Sequence, residues 1–322
     1  MMHEPQRISR AALLWCLLAS LLHGYWVVTN GAPLGTADPD AQNMGSWLAG
    51  VSPRPASAVL AAVSLAGVAV AALVLSRRPV LDRRVLASIL FVLALPFLLV
   101  PDVRLLQNAA YGLHGYFGLV DAALLHQLLC LCGGLLLACT GLAVLRRPGR
   151  SINWLRIGRW ATVVAVLAPL PYAIQRAAWN LGIPLGVSEQ FVLDLAADLE
   201  AKNVTPILAY SLSWSAVLGS LLTLGLVMRW GEVLPAWVPV LGGRRVPVLL
   251  AVVPGLTMSV VITIAGATVM RFAVQDAFDD GIDGAVVPGL LWLPWGLALG
   301  VATLAYWRRR QPAPEDSRVL NS

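Results

Sequence analysis

Eight apolar runs, at roughly 11–29, 56–76, 85–101, 122–145, 161–179, 206–228, 246–270 and 286–307, leave this 322-residue chain few folds to choose from. A helix rises 1.5 Å per residue, so about 20 residues cross the ~30 Å of bilayer hydrocarbon. Lipid offers no water to pair backbone N–H and C=O groups, which restricts spanning segments to helices or to the strands of a closed barrel. Barrel strands alternate apolar and polar residues, and these runs do not. The expectation is an all-α, polytopic membrane helical bundle of about eight transmembrane helices.

Composition agrees. Hydrophobic residues make up 58% of the chain and charged residues 12%, with mean hydropathy +0.75. Soluble domains carry about 25% charged residues. The net charge of +6 does not form a basic face with interleaved aromatics, so nucleic acid is not an expected partner; the lipid bilayer is. The arginines cluster instead at the ends of the runs. With the N-terminus in the cytoplasm, the cytoplasmic segments collect 18 of the 23 basic residues, among them Arg7, Arg10, Arg83, Arg84, Arg156, Arg229 and Arg308. The opposite segments then hold five basic and 12 acidic residues. This segregation predicts an even number of crossings in the cell membrane, with both termini cytoplasmic. Lys202 is the only lysine, a bias that points to a GC-rich bacterial genome. Arg7 and Arg10 before the first run resemble a signal peptide, but no small-x-small cleavage site precedes Pro33, so an uncleaved signal-anchor helix is expected.

Two short patterns recur. Gly31-Ala32-Pro33-Leu34-Gly35 follows the first run and Gly182-Ile183-Pro184-Leu185-Gly186 the fifth. Arg77-Arg78-Pro79-Val80-Leu81 precedes the third run and Arg244-Arg245-Val246-Pro247-Val248-Leu249 the seventh. These matches predict a 4+4 parallel repeat, with four-helix halves at 1–150 and 151–310 and a disordered tail at 311–322. Between the halves' helices, Phe191, Val192, Leu195 and Leu199 recur at helical spacing after Ser188, which predicts a capped amphipathic helix on the outer surface. The connector from Arg229 to Arg245, with Trp230 and Trp237, reads as an interfacial anchor on the inner side.

The stretch Leu22-His23-Gly24-Tyr25-Trp26, the Gly31–Gly35 turn and the connector Arg229-Trp230-Gly231-Glu232 with Leu241-Gly242-Gly243-Arg244-Arg245 resemble a group of small bacterial multi-pass membrane proteins. Their first helix ends in His-x-Tyr-Trp. The second half has Ile174 to Ala177 at the equivalent place and lacks this element. The resemblance implies the fold and carries no activity.

Polar residues inside membrane helices are costly and mark where to look for a site. His23, Tyr25, Asp121, His126, Gln175 and Arg176, with Tyr172 and Tyr210, fall at similar depth on the outer side, where they could line an outward-facing polar cavity. Arg176 offers a planar fork for an anionic headgroup or carboxylate; snorkelling, or pairing with Asp121 or Glu189, is the plainer alternative. Two imidazoles at one depth, His23 and His126, can hold a haem or contribute to a metal site, yet a lone His on each of two helices is more often a hydrogen-bonded packing residue. No metal ligand set and no cofactor is expected. Cys130 and Cys132 lie two apart on a helix, point away from each other and read as core filler. The acidic turn Asp276 to Gly284 lacks the ligands an EF-hand needs where Phe278 and Val287 stand. Asn203-Val204-Thr205 is a glycosylation triplet without meaning in a bacterial protein. No nucleotide-binding, metalloprotease or serine-hydrolase motif is present. The leading expectation is a non-enzymatic membrane protein that binds or transports a small amphipathic or anionic molecule. The alternatives are a membrane-embedded redox (haem or quinone) or lipid-modifying enzyme using His23 and His126, and a structural partner of another complex.

Overall fold

A computed structural model describes residues 4–76, 81–113, 117–118, 120–145, 153–201, 210–236, 242–279 and 284–311. The Arg77-Arg78 and 146–150 clusters, the 203–205 triplet, Trp237, residues 280–283 of the acidic turn and the tail beyond 311 lie outside this set. Among the described residues the chain is all-helical, with one isolated bridge between Val233 and Arg245. Among the described residues, six helical segments are long and apolar enough to cross a membrane: Gln6–Thr29, Pro53–Ser76, Ala122–Leu145, Trp154–Asn180, Val248–Gln275 and Val287–Arg309. Only 28–33% of the residues in each apolar window are buried, so most of each span's apolar surface faces outward. A water-soluble protein does not expose that much continuous apolar area. The chain is built as a multi-pass membrane protein.

Two compact units divide the chain, at Met1–Arg150 and Ser151–Ser322. The first holds α1 (Glu4–Thr29), α2 (Pro53–Ser76), α3 (Arg83–Leu98), α4 (Arg104–Leu113) and α5 (Ala122–Leu145). Helix α1 packs on α2 and α5, and α3 packs on α5 and α2. The sequence directs this through faces of small residues. Ala12, Cys16, Ala19 and His23 recur at three- and four-residue spacing and are buried, whereas Leu14, Leu18 and Leu21 point outward. Close approach follows: a Cβ on Gly133 would stand 2.1 Å from the Trp15 ring, and one on Gly67 would stand 2.7 Å from Cys16 Sγ. Helix α1 stops at Asn30, which takes the left-handed conformation (φ 56) and returns its N–H to Trp26 O at 2.8 Å. At 16 residues α3 rises about 24 Å, short of the bilayer core. Pro96 sits near its end.

The second unit holds α6 (Trp154–Leu167), α7 (Leu170–Asn180), α8 (Glu189–Ala201), α9 (Ser211–Leu224), α10 (Val248–Asp279) and α11 (Trp292–Arg309). The fifth run is broken: Pro169 and Pro171 remove two backbone donors, and α6 gives way to α7 there. Helix α11 packs on α10 and α6, and α9 packs on α6 and α7. The Ser188 hydroxyl caps α8 by accepting from Phe191 N at 3.1 Å, and the Phe191 ring packs edge-on against Trp179. The described ends of the connector, 229–236 and 242–246, pair with each other, with Leu234 N donating to Arg244 O and Val246 N to Glu232 O, both at 3.0 Å. The end of α11 pins it: Tyr306 OH donates to Gly231 O at 2.8 Å, and Arg310 Nη2 donates to Val246 O at 2.8 Å.

Candidate metal centre

Helices α1 and α5 bring His23 and His126 together at the core of the first unit. Their Nε2 atoms stand 3.2 Å apart, and Cys130 Sγ lies 3.3 Å from His126 Nε2. All three side chains are buried, His23 and Cys130 fully and His126 to within 3%. One donor atom from each lies within 4.8 Å of the other two.

Local structure explains the arrangement. His126 and Cys130 are four residues apart, one helical turn, and therefore share a face of α5. That face continues through Gly133, Gly134 and Leu137 and is buried, while Leu125 and Leu128 face outward. On α1, His23 Nδ1 donates to the Ala19 carbonyl, one turn back, at 2.8 Å. This bond fixes the tautomer: Nδ1 carries the proton, and Nε2 presents a lone pair toward His126. Holding a ligand imidazole by its other nitrogen is the usual arrangement at metal centres. His126 Nδ1 is buried with no hydrogen-bond partner among the described residues. Aromatic rings wall the cluster. The Trp26 ring stands nearly perpendicular to both imidazoles, at 5.5 Å from His23 and 5.0 Å from His126, and Phe97 of α3 lies 6.3 Å from His23.

The two Nε2 atoms are spaced to share one ion. Metal–nitrogen bonds of 2.0–2.1 Å to nitrogens 3.2 Å apart subtend about 100°, close to tetrahedral. A haem is a poorer fit, because axial imidazoles on opposite faces of one iron stand roughly 4 Å apart with the porphyrin between them.

Next to His126 on α5, Gln127 enters a second polar cluster. Gln127 Nε2 donates to Asp102 Oδ2 at 2.9 Å, and Asp102 N donates to Gln127 Oε1 at 3.3 Å. Arg104 grips two carboxylates at once: Nη2 donates to Asp102 Oδ2 at 2.6 Å and to Asp38 Oδ2 at 2.5 Å, while Nη1 donates to Asp38 Oδ1 at 3.1 Å. Asp102 is fully buried, and Asp38 and Arg104 are buried to within a tenth of their surface. Burial disfavours the Arg104 cation, but the carboxylates of Asp102 and Asp38 more than offset this and raise its pKa above the ordinary arginine range. The cluster ties the α1–α2 loop, the start of α4 and α5 into one framework beside the histidines.

The remaining expected site residues lie elsewhere. Tyr25 is 63% exposed on the outward face of α1. Asp121 is an exposed N-cap whose Oδ1 accepts from Leu124 N at 2.7 Å. In the second unit, Gln175 Nε2 donates to Leu185 O at 3.2 Å and Gly284 O at 2.9 Å, joining two loops. The Arg176 guanidinium sits over the rings of Tyr172 and Trp179, at 5.5 Å and 5.1 Å, with Nε buried and unpartnered; among the described residues it forms no ion pair with Glu189. Cys130, Asp38, Asp102, Arg104 and Gln127 were not among the expected site residues. The signal for Cys130 was its four-residue spacing from His126; for the ion cluster it was Asp102-Val103-Arg104 directly after the third apolar run. No protein family, no curated protein and no solved structure matches this chain.

Proposed function

We propose that the chain is a membrane-embedded metal-binding protein whose ion is held by His23, His126 and Cys130. The observation that carries this reading is the convergence of three buried donor atoms from two spans, with the His23 tautomer set to offer a lone pair. Neutral imidazole and thiolate are ligands for transition metals, not for calcium or magnesium. A role in metal handling follows from such a site. The test is metal content. Protein purified in detergent under reducing conditions from metal-supplemented cells is expected to retain about one transition-metal ion per chain, and His126→Ala is expected to lose it. Retention of none by the wild-type chain would overturn the reading.

A second reading, binding of a small anionic or amphipathic molecule in the second unit, is favoured by the buried, unpartnered Arg176 Nε between two rings, since Arg suits planar anions. Arg176→Ala would then weaken binding of anionic lipid to the purified protein, and unchanged binding would sink the idea.

The same proposal includes eight crossings with both termini cytoplasmic. Helices α3 and α9 supply the two shorter crossings, with residues next to each lying outside the described set. Support for a 4+4 repeat comes from shared neighbours: in each unit the first span packs on the second and fourth, and the third packs on the fourth, while the packing of second on third is a feature of the first unit. The last glycine of each Gly-x-Pro-Leu-Gly turn also has positive φ, 62 at Gly35 and 77 at Gly186. Labelling tests the topology. Asp40→Cys, Gly112→Cys and Ala197→Cys are expected to react with an impermeant thiol reagent from outside intact cells, and Arg150→Cys and Pro235→Cys are not. Reaction at position 150 from outside would contradict the arrangement.

A further inference from the structure

Resting on the reading that His23, His126 and Cys130 bind a metal, we infer that the ion is monovalent copper. Three features of the site argue for it. The donor set is soft: two imidazole nitrogens and one sulfur, which suit Cu(I) and lack the carboxylate oxygens that harder ions take. Among the described residues no Asp or Glu joins the three. The carboxylates of the neighbouring cluster, Asp38 and Asp102, are already held by Arg104.

Charge decides between Cu(I) and the divalent ions. Binding replaces the Cys130 thiol proton, which leaves for the buffer, so Cu⁺ plus thiolate gives a centre of zero net charge. Zn²⁺ or Cu²⁺ on the same three ligands leaves one positive charge that no ligand offsets inside the helical core, with the net single negative charge of the Asp38–Asp102–Arg104 cluster outside the ligand set. An unpaired charge in such a medium is strongly disfavoured.

Coordination number points the same way. Zinc takes four ligands, and a three-residue zinc site completes its shell with water. A water here would need polar partners. The walls are Trp26, Phe97 and the buried faces of α1 and α5, and the donors have between 0% and 3% of their surface exposed. Cu(I) is satisfied by three ligands and asks for no water.

The test is a competitive titration of the full-length protein in detergent, kept anaerobic and reduced. Cu(I) is presented by bicinchoninate and Zn(II) by a chromogenic chelator. The expected result is one Cu(I) per chain, about one proton released per ion, and binding at least about 100-fold tighter than that of Zn(II). Cys130→Ser, which preserves shape, should weaken Cu(I) binding about 100-fold or more while the protein keeps its wild-type elution and melting behaviour. If Cys130→Ser does not stay folded, the wild-type Cu(I)-to-Zn(II) ratio and proton count decide alone. Equal or tighter Zn(II) binding that depends on His23 and His126 would overturn the copper assignment and leave the metal site standing. Failure of every ion to bind would overturn both.

Discussion

Arg104→Ala is expected to destabilise the first unit by about 3–5 kcal/mol, the usual cost of removing one partner from a buried ion cluster. The wild-type guanidinium serves two carboxylates, and Asp102 is fully buried. Without it, Asp38 and Asp102 face each other with only Gln127 Nε2 and backbone N–H groups to share. In detergent this should appear as a large fall in melting temperature and loss of expression. A background control separates charge from volume: in Arg104→Met, adding Asp38→Asn and Asp102→Asn should recover part of the loss, because the uncompensated charge is gone. No recovery would mean that the arginine acts through packing alone. Because Gln127 adjoins His126, the same variant should also loosen the histidine pair.

Gly296→Val is expected to cost about 3 kcal/mol or more in the second unit, at the upper end for overpacking. Helices α10 and α11 meet at backbone distance along a row of small residues. A Cβ on Gly296 would stand 2.5 Å from Thr263 N, and one on Gly266 would stand 2.2 Å from Leu293 N. Backbone cannot rotate aside as a side chain can, so the helices must separate. Ser259 Oγ, which donates to Gly296 O at 2.8 Å, would lose its partner as they part. Gly24→Ala is the contrasting case. A Cβ there meets nothing within 4 Å, so the substitution should be neutral or stabilise α1 by up to about 1 kcal/mol. Chemical unfolding in mixed micelles compares the two. An unchanged stability for Gly296→Val would show that α10 and α11 do not pack at backbone contact.

Apolar length and charge segregation made the membrane class and the helices legible, because lipid forbids most alternatives. Depth along each helix was legible too, from the rise per residue, and it put His23 and His126 at one level without saying that they meet. Azimuth was less so. Cys132, two residues from Cys130, lies on another face of the helix, and the neighbour of Cys130 on its own face is His126. Tyr25 shared the right depth but points outward at 63% exposure. Asp121 opens a helix and so had an N-cap role open to it, which its bond to Leu124 N fulfils. The Asp38–Arg104 contact spans 66 residues, and no local pattern announces a pairing of that range. The break between α6 and α7 was written in Pro169 and Pro171, although the apolar run continues through it.

X-ray absorption at the bound metal's edge sees the atoms of His23, His126 and Cys130 around the ion without regard to fold or function. The expected first shell is two nitrogens at about 2.0 Å and one sulfur at about 2.3 Å, with imidazole outer-shell scattering, and the sulfur shell is lost in Cys130→Ser. A shell of oxygen and nitrogen scatterers alone, unchanged in Cys130→Ser, would contradict it.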